Sequence, residues 1–293
     1  MKRKFLQYIY LVLFLTGALG LLGAMEIEFI GGIDNLTFPP QSKTEYGINN
    51  EKLQAHSYGL FNLSVRGDIS GNLAYDIRFE RDNILQNSIT GTFITRTDHF
   101  RLEFGLFTGI SDNFDIPEAG ITGDIEFTLP GTGYLSLYGS STLGAHVDFT
   151  TNNRRETVGV RIGYWLLDNF ILSASAGTKS FSRYIDQSLT IRDQLTRYQF
   201  SVEYYEKNAP YTVRFDAGFE TLSRTYLRET IVNTDELNAF FAGVELNWQI
   251  THPIRIKAGI EMPLITTPVA PLEMAPRLVG LFKAYAGLTY SFF

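Results

Sequence analysis

Residues 211–220 read Tyr-Thr-Val-Arg-Phe-Asp-Ala-Gly-Phe-Glu, and this stretch decides the fold. Apolar side chains occupy the odd positions from Tyr211 to Phe219, while most even positions are polar or charged. Successive side chains of a β-strand point to opposite faces, so this period of two predicts a strand with one apolar and one polar face. The chain is therefore expected to be all-β. The same alternation recurs over residues 73–80, 198–204, 240–248 and 254–261.

The composition excludes several classes of site. The 293 residues include no cysteine, which excludes a disulfide scaffold, a thiolate metal site and a cysteine nucleophile. Only four histidines are present, which leaves little scope for a multi-histidine metal centre. The formal net charge is −6, so the chain has no basic footprint for nucleic acid. We therefore expect neither a cofactor nor a nucleic-acid partner.

The N-terminus has the features of a secretory signal peptide. Lys2, Arg3 and Lys4 give a cationic start, an apolar run covers residues 5–22, and small residues follow at Gly23 and Ala24. The sequence thus predicts a signal peptide over residues 1–24 and a mature barrel domain over residues 25–293. Cleavage after Gly20 and an uncleaved membrane anchor are the alternatives.

The lengths of the connections between the predicted strands point to a membrane barrel. Short connections are expected at 70–71, 97–98, 130–132, 167–169, 207–209 and 251–253. Longer polar segments are expected at 39–56, 81–87, 109–119, 147–156, 181–194, 223–237 and 263–278. Short and long connections alternate along the chain, as in transmembrane barrels with tight periplasmic turns and longer outer loops. The prediction is an antiparallel up-and-down meander of about fourteen strands, with twelve or sixteen as alternatives, and with both termini at the short-turn side.

The last strand carries a family resemblance. Residues 281–293 read Leu-Phe-Lys-Ala-Tyr-Ala-Gly-Leu-Thr-Tyr-Ser-Phe-Phe. This stretch resembles the C-terminal signal by which bacterial outer-membrane barrels are recognised by their assembly machinery, with Tyr285, Gly287, Tyr290 and Phe292 in the matching positions. Phe293 departs from the pattern, since many members end on the in-phase aromatic residue. The resemblance implies a bacterial outer-membrane location in contact with lipid, and the size is similar to that of monomeric fourteen-stranded porins of the outer-membrane protein G type.

The polar face of these strands would line a hydrated lumen. Arginine or lysine on the lipid side costs about 2–4 kcal/mol near the membrane midplane, so the charged positions are expected to point inward. Acidic and basic side chains are nearly balanced on this face, which predicts weakly selective diffusion of small hydrophilic solutes and at most a weak preference for cations. The predicted pore-lining residues are Arg66, Arg78, Arg101, Glu103, Asp124, Glu126, Arg161, Arg214, Asp216, Glu245, Arg255, Lys257 and Lys283.

Three other functions were weighed against a pore. The apolar, proline-containing segment 263–278 keeps open a transporter of hydrophobic compounds, which would resemble the fatty-acid channels. An adhesin or structural barrel is also compatible with loops of this length. A barrel enzyme is not expected, because the only suggestive cluster is His146 with Ser140 and Ser141, and no Gly-x-Ser-x-Gly elbow occurs.

Overall fold

The fold is a closed barrel of fourteen β-strands in a computed structural model. The structure describes residues 25–34, 58–82, 84–110, 118–143, 153–186, 189–206, 209–228, 231–269 and 282–292. The predicted signal peptide, residues 1–24, lies outside the described residues. Among the residues that the structure describes, no helix has the length and apolarity needed to cross a membrane.

Each strand pairs antiparallel with its neighbours in the chain, and β1 closes the barrel against β14, where Met25 lies opposite Phe292. The strands are β1 Met25–Asp34, β2 Tyr58–Ser70, β3 Leu73–Asp82, β4 Gln86–Arg96, β5 Phe100–Ile110, β6 Ala119–Leu129, β7 Gly133–Thr142, β8 Arg154–Leu166, β9 Phe170–Asp186, β10 Leu189–Tyr205, β11 Tyr211–Arg228, β12 Ile231–Thr251, β13 Ile254–Val269 and β14 Lys283–Phe292. This architecture confirms the predicted all-β meander and its fourteen strands.

The outer face of the barrel is apolar and the inner face is charged, as the β11–β12 pair illustrates. Phe215 lies opposite Val244 in the ladder, and the next pair in the ladder joins Arg214 to Glu245. Residues that are directly opposite share a face of the sheet. Phe215 is 56% exposed, whereas Glu245 is 6% exposed. The hydrophobic side chains of this face therefore point away from the centre of the barrel, the reverse of a water-soluble core.

Three of the predicted long loops, at 81–87, 181–194 and 223–237, are largely strand in the structure, so those predictions are wrong. Strand β9 continues to Asp186 and β10 begins at Leu189, which leaves little of the predicted loop at 181–194. Strands β11 and β12 likewise cover most of residues 223–237. In the predicted apolar loop, residues 263–269 belong to β13, and residues 270–278 lie outside the described residues.

A reversal of the alternation explains this error. In the upper part of β10, toward the long-loop end, Ile191 points inward and is fully buried. Its outward neighbours in the same strand are polar, including Arg192 and Gln194. We call the zone of exposed outward apolar side chains, which includes Tyr198, Phe200 and Phe215, the apolar belt. The strand pattern persists between this belt and the long-loop end, but there the apolar side chains are on the inner face. Because their outward residues are polar, these stretches have the sequence pattern of loops although they are strands.

Candidate functional site: the barrel interior

The strand register places all the predicted pore-lining residues on the inner face of the wall. Two interior cavities, of about 590 and 350 Å³, lie among the described residues. The larger is lined by Arg214, Asp216, Glu245, Lys257 and Lys283. The smaller is lined by Arg78, Glu103, Asp124 and Arg161. The remaining four, Arg66, Arg101, Glu126 and Arg255, lie on the same face toward the short-turn end. Contact of these side chains with a passing solute stays a prediction.

Charges of opposite sign are paired along the inner wall. The Asp76 carboxylate on β3 contacts Arg78 at 2.8 Å and Arg66 on the neighbouring strand at 3.6 Å. On β11, Arg214 lies 3.1 Å from Asp216 and 3.4 Å from Glu245 on β12. Such pairs cancel much of each other's field, so neither sign dominates this part of the wall. Ion selectivity follows rings of like charge, and these pairs do not form such a ring.

One arginine ties together strands that are not neighbours. The two terminal nitrogens of Arg197 on β10 donate to the Glu261 carboxylate on β13 at 3.0 and 2.5 Å. Nη1 also lies 3.4 Å from Glu220 on β11. The guanidinium stacks over the ring of Phe241 on β12, with 3.8 Å between its carbon and the ring centroid. This bidentate, stacked arrangement fixes the side chain against the wall and leaves the larger cavity beside it open.

Inward-facing tyrosines lie over inward-facing glycines of adjacent strands. A Cβ added to Gly163 would collide with the ring of Tyr134, and one added to Gly259 would lie 2.4 Å from the ring of Tyr285. The glycines thus leave hollows in which the rings lie flat against the wall. Sequence analysis missed these pairs, because a tyrosine and its glycine are matched only by strand register.

Buried side chains cover the inner wall of β9, β10 and β11 at the long-loop end of the barrel. Leu189, Ile191 and Tyr226 form an apolar cluster there. Below them, the Asp193 carboxylate accepts bonds from Arg183 at 2.6 Å and from Arg224 at 2.6 and 2.9 Å. The inner wall of these strands is therefore closely packed at this end.

A buried ion pair occupies the same end of the barrel, between β6 and β8. Arg155 on β8 is 2% exposed, and its Nε donates to the carboxylate of Glu118, which directly precedes β6. Its Nη2 donates to the Asn87 carbonyl on β4 at 2.8 Å. Burial raises the pKa of the Glu118 carboxyl above its ordinary value, and the Arg155 charge opposes this shift.

The residues of the predicted assembly signal lie on both faces of β14. Tyr285 and Gly287 point inward, and the Tyr285 hydroxyl donates to Glu245. Tyr290 and Phe292 point outward and pack edge to face, with ring centroids 4.6 Å apart. Recognition of these residues by assembly machinery stays a prediction.

The structure can also be searched for a metal site and for the serine–histidine cluster that the sequence suggested. Within them, no three histidine, cysteine or acidic side chains converge to hold a metal ion. Ser140 lines the smaller cavity, whereas Ser141 points to the outer face. His146 lies outside the described residues, so the suggested serine–histidine cluster is not tested.

Comparison with known proteins supports the fold. No protein-family model and no curated protein matches the sequence. Among solved structures, the chain resembles an outer-membrane channel from Pseudomonas putida F1, with 9% identity, a TM-score of 0.53, and coverage of 92% of this chain and 95% of that one. A weaker likeness, at a TM-score of 0.44 and 8% identity, is to OmpT of Vibrio cholerae and covers 92% of this chain and 97% of that one. The barrel thus shares its fold with an outer-membrane channel.

Proposed function

We propose that this protein is an outer-membrane pore for passive, weakly selective diffusion of small hydrophilic solutes. The observation that carries the proposal is the reversed polarity of the wall, with large apolar side chains outside and polar cavities inside. An apolar outer face suits lipid, and a barrel of about fourteen strands is wider than the eight-stranded kind that side chains fill completely.

The outward aromatic side chains at the short-turn end support the membrane location. Tyr164, Tyr211 and Trp248 are 50%, 39% and 47% exposed on the outer face of β8, β11 and β12. Tyrosine and tryptophan favour the membrane–water interface, where the ring is apolar and the polar atom meets water. These rings would form the periplasmic girdle of the barrel.

The balanced inner wall supports weak selectivity. The charges of Asp76, Arg214 and Glu261 are each matched by partners on the same or nearby strands. A permeating ion would therefore meet paired charges and not a ring of one sign. Solutes would be sorted mainly by size.

Single-channel recording tests the proposal. Protein purified from the outer-membrane fraction of an expressing bacterium would be reconstituted in a planar bilayer, in potassium chloride. Stable conductance steps with similar permeability to potassium and chloride are the expected result. Insertion without conductance would overturn the pore and would favour a transporter of hydrophobic compounds or an adhesin. Absence from the outer-membrane fraction would overturn the proposed location.

A further inference from the structure

An ion pair joins two walls of the barrel that are far apart around its circumference. Lys179 points inward from β9, and Asp82 points inward from the end of β3. The ammonium of Lys179 contacts the Asp82 carboxylate directly. In the closed order of fourteen strands, β3 and β9 are six strands apart by the shorter route. The pair therefore crosses the lumen and does not run along one wall.

This contact requires the barrel to be flattened at that level. A circular barrel of fourteen strands, about 4.8 Å apart and tilted by about 40°, would measure about 28 Å across. A lysine in contact with an aspartate spans about 12 Å between Cα atoms at full extension, from bond lengths of about 1.5 Å per link. The walls carrying Asp82 and Lys179 must therefore approach to less than half of the circular diameter.

A second contact holds the same two sides together. Arg155 on β8 donates from Nη2 to the backbone carbonyl of Asn87 on β4 at 2.8 Å. Strand β8 neighbours β9, and β4 neighbours β3. Thr157, two residues after Arg155, lies opposite Lys179, and Gln86, which precedes Asn87, lies opposite Asp82. The two contacts are thus adjacent and act on the same constriction.

Backbone hydrogen bonds orient the Asp82 carboxylate independently of its contact with the lysine. Its Oδ1 accepts hydrogen bonds from the backbone N–H groups of Ile84 at 2.7 Å and Leu85 at 2.8 Å. Its Oδ2 is left for Lys179. These two hydrogen bonds fix the orientation of the carboxylate. The Lys179 ammonium therefore has a hydrogen-bond acceptor at a fixed position on the opposite wall.

The pair separates the two interior cavities. Both cavities are lined by Asp82 and Lys179, together with Glu80, Tyr138 and Thr157. These shared residues form the partition between a space of about 590 Å³ on one side and about 350 Å³ on the other. Loss of the ion pair would remove one of the contacts that cross the lumen between the two cavities.

We propose that the cross-lumen contact between Asp82 and Lys179 divides the pore into two parallel openings and thereby sets its conductance and size limit. This inference rests on the proposed pore function. It assigns the two residues a specificity role, because the width of each opening depends on whether the opposite walls stay joined.

The test compares two lysine variants by single-channel recording. Lys179→Ala removes the ion pair across the lumen and keeps the hydrogen bond between Arg155 and Asn87. Lys257→Ala is the matched control, because both lysine side chains are 27% exposed and both contact a carboxylate. The partner of Lys257 is Glu28 on β1, separated only by β14, so this contact follows the wall. Both variants lose one positive charge, and only Lys179→Ala breaks a contact that crosses the lumen.

We expect Lys179→Ala to raise the unit conductance about twofold and to admit larger uncharged polyethylene glycols. Lys257→Ala, which removes a charge from the lumen wall, should shift the ratio of potassium to chloride permeability and keep the wild-type size limit for polyethylene glycols. A polyethylene glycol size limit that is the same in Lys179→Ala, Lys257→Ala and a conducting wild type would overturn the inference and leave the pore standing. A silent wild type with a conducting Lys179→Ala would overturn the open pore and support the partition. Silence of wild type and both variants would overturn both. If Lys179→Ala does not assemble, Lys179→Met keeps most of the side-chain length without the charge, and it is also expected to raise the unit conductance.

Discussion

The ring of Tyr138 on β7 lies against Gly159 on β8, so closely that a Cβ added to Gly159 would be 2.3 Å from the ring carbon Cζ. The hydroxyl continues over Gly177 on β9, where an added Cβ would be 2.5 Å from Oη. The Arg161 guanidinium lies 5.4 Å from the centroid of the same ring. The two glycines, which lie in one row across the strands, therefore hold a ring that lines both cavities flat against the wall.

Gly159→Ala is expected to push the Tyr138 ring away from the wall and into the lumen. The added methyl group overpacks the contact, which costs about 1–3 kcal/mol in protein interiors. Unit conductance should fall, while the heat-modifiable migration of the folded barrel in SDS is kept. Gly91→Ala on β4 is the control, because an added Cβ there meets nothing within 4 Å. Equal conductance of the two variants would contradict the prediction.

Phe200→Arg tests whether the apolar belt faces lipid. Phe200 points outward from the middle of β10 and is 51% exposed. Arginine at the bilayer midplane should lower the free energy of unfolding by about 2–4 kcal/mol, measured by urea titration in lipid vesicles.

Gln194→Arg provides the comparison on the same strand and the same face. Gln194 lies toward the long-loop end, where the outward residues are polar, as Arg192 and Thr196 are. We expect a change within about 0.5 kcal/mol, because water there solvates the added charge. Similar small effects of both substitutions would show that the belt does not lie in lipid.

Arg155→Met is expected to destabilise the barrel strongly. It would leave the Glu118 carboxylate, 5% exposed, without its cationic partner, and breaking a buried pair in this way costs about 3–5 kcal/mol. Arg192→Ala is the control, since its contact with Glu156 at 3.7 Å is between side chains that are 44% and 48% exposed, and such a pair contributes about 0–1 kcal/mol. Comparable losses in the two variants, measured by urea titration, would refute the role of the buried pair.

The Arg155→Met variant should also regain stability as the pH is lowered. Burial already raises the pKa of the Glu118 carboxyl in the folded barrel, and the loss of Arg155 removes the charge that opposes this shift. The folded state then binds a proton more readily than the unfolded state, so the free energy of unfolding increases as the pH falls toward the unfolded pKa. Adding Glu118→Gln should abolish this pH dependence. A pH profile that the second substitution leaves unchanged would exclude Glu118 as its source.

Phe292→Ala should reduce the amount of protein assembled in the outer membrane several-fold without preventing refolding into detergent micelles. The ring of Phe292 points outward beside Tyr290 and is 44% exposed, so its removal leaves no interior cavity. Tyr164→Ala removes another outward ring at the short-turn end, 50% exposed, and should assemble almost normally. If both variants assembled equally poorly, the C-terminal signal would have no special role.

The strands of the belt could be predicted from the sequence, and the upper strands could not. Between Tyr211 and Phe219 the apolar positions point outward, as the alternation in the sequence predicts. Further along the same strand, Leu222 is 1% exposed on the inner face. The period remains two, but the faces have exchanged, and a single sequence does not mark where the surroundings of the outer face change.

The sequence also predicted that the charged residues point inward. It did not predict which charged residues would contact each other. Alternation assigns Arg214 and Glu261 to the inner face, because the side-chain direction along a strand is fixed by the backbone. It does not say that Arg197 would reach Glu261 on a strand three places away. That contact depends on side-chain length and on the curvature of the wall.

The sequence by itself therefore determined the strands of the belt, a strand number of about fourteen, and which side chains of the belt face the lumen, since all of these follow from local alternation and from the turns between strands. Only the tertiary structure decided that Asp82 meets Lys179, 97 residues later in the chain, across the interior. Such a contact depends on how the whole barrel closes and how far it departs from a circle. Every strand contributes to that shape through its register and tilt, so no local stretch of sequence encodes it.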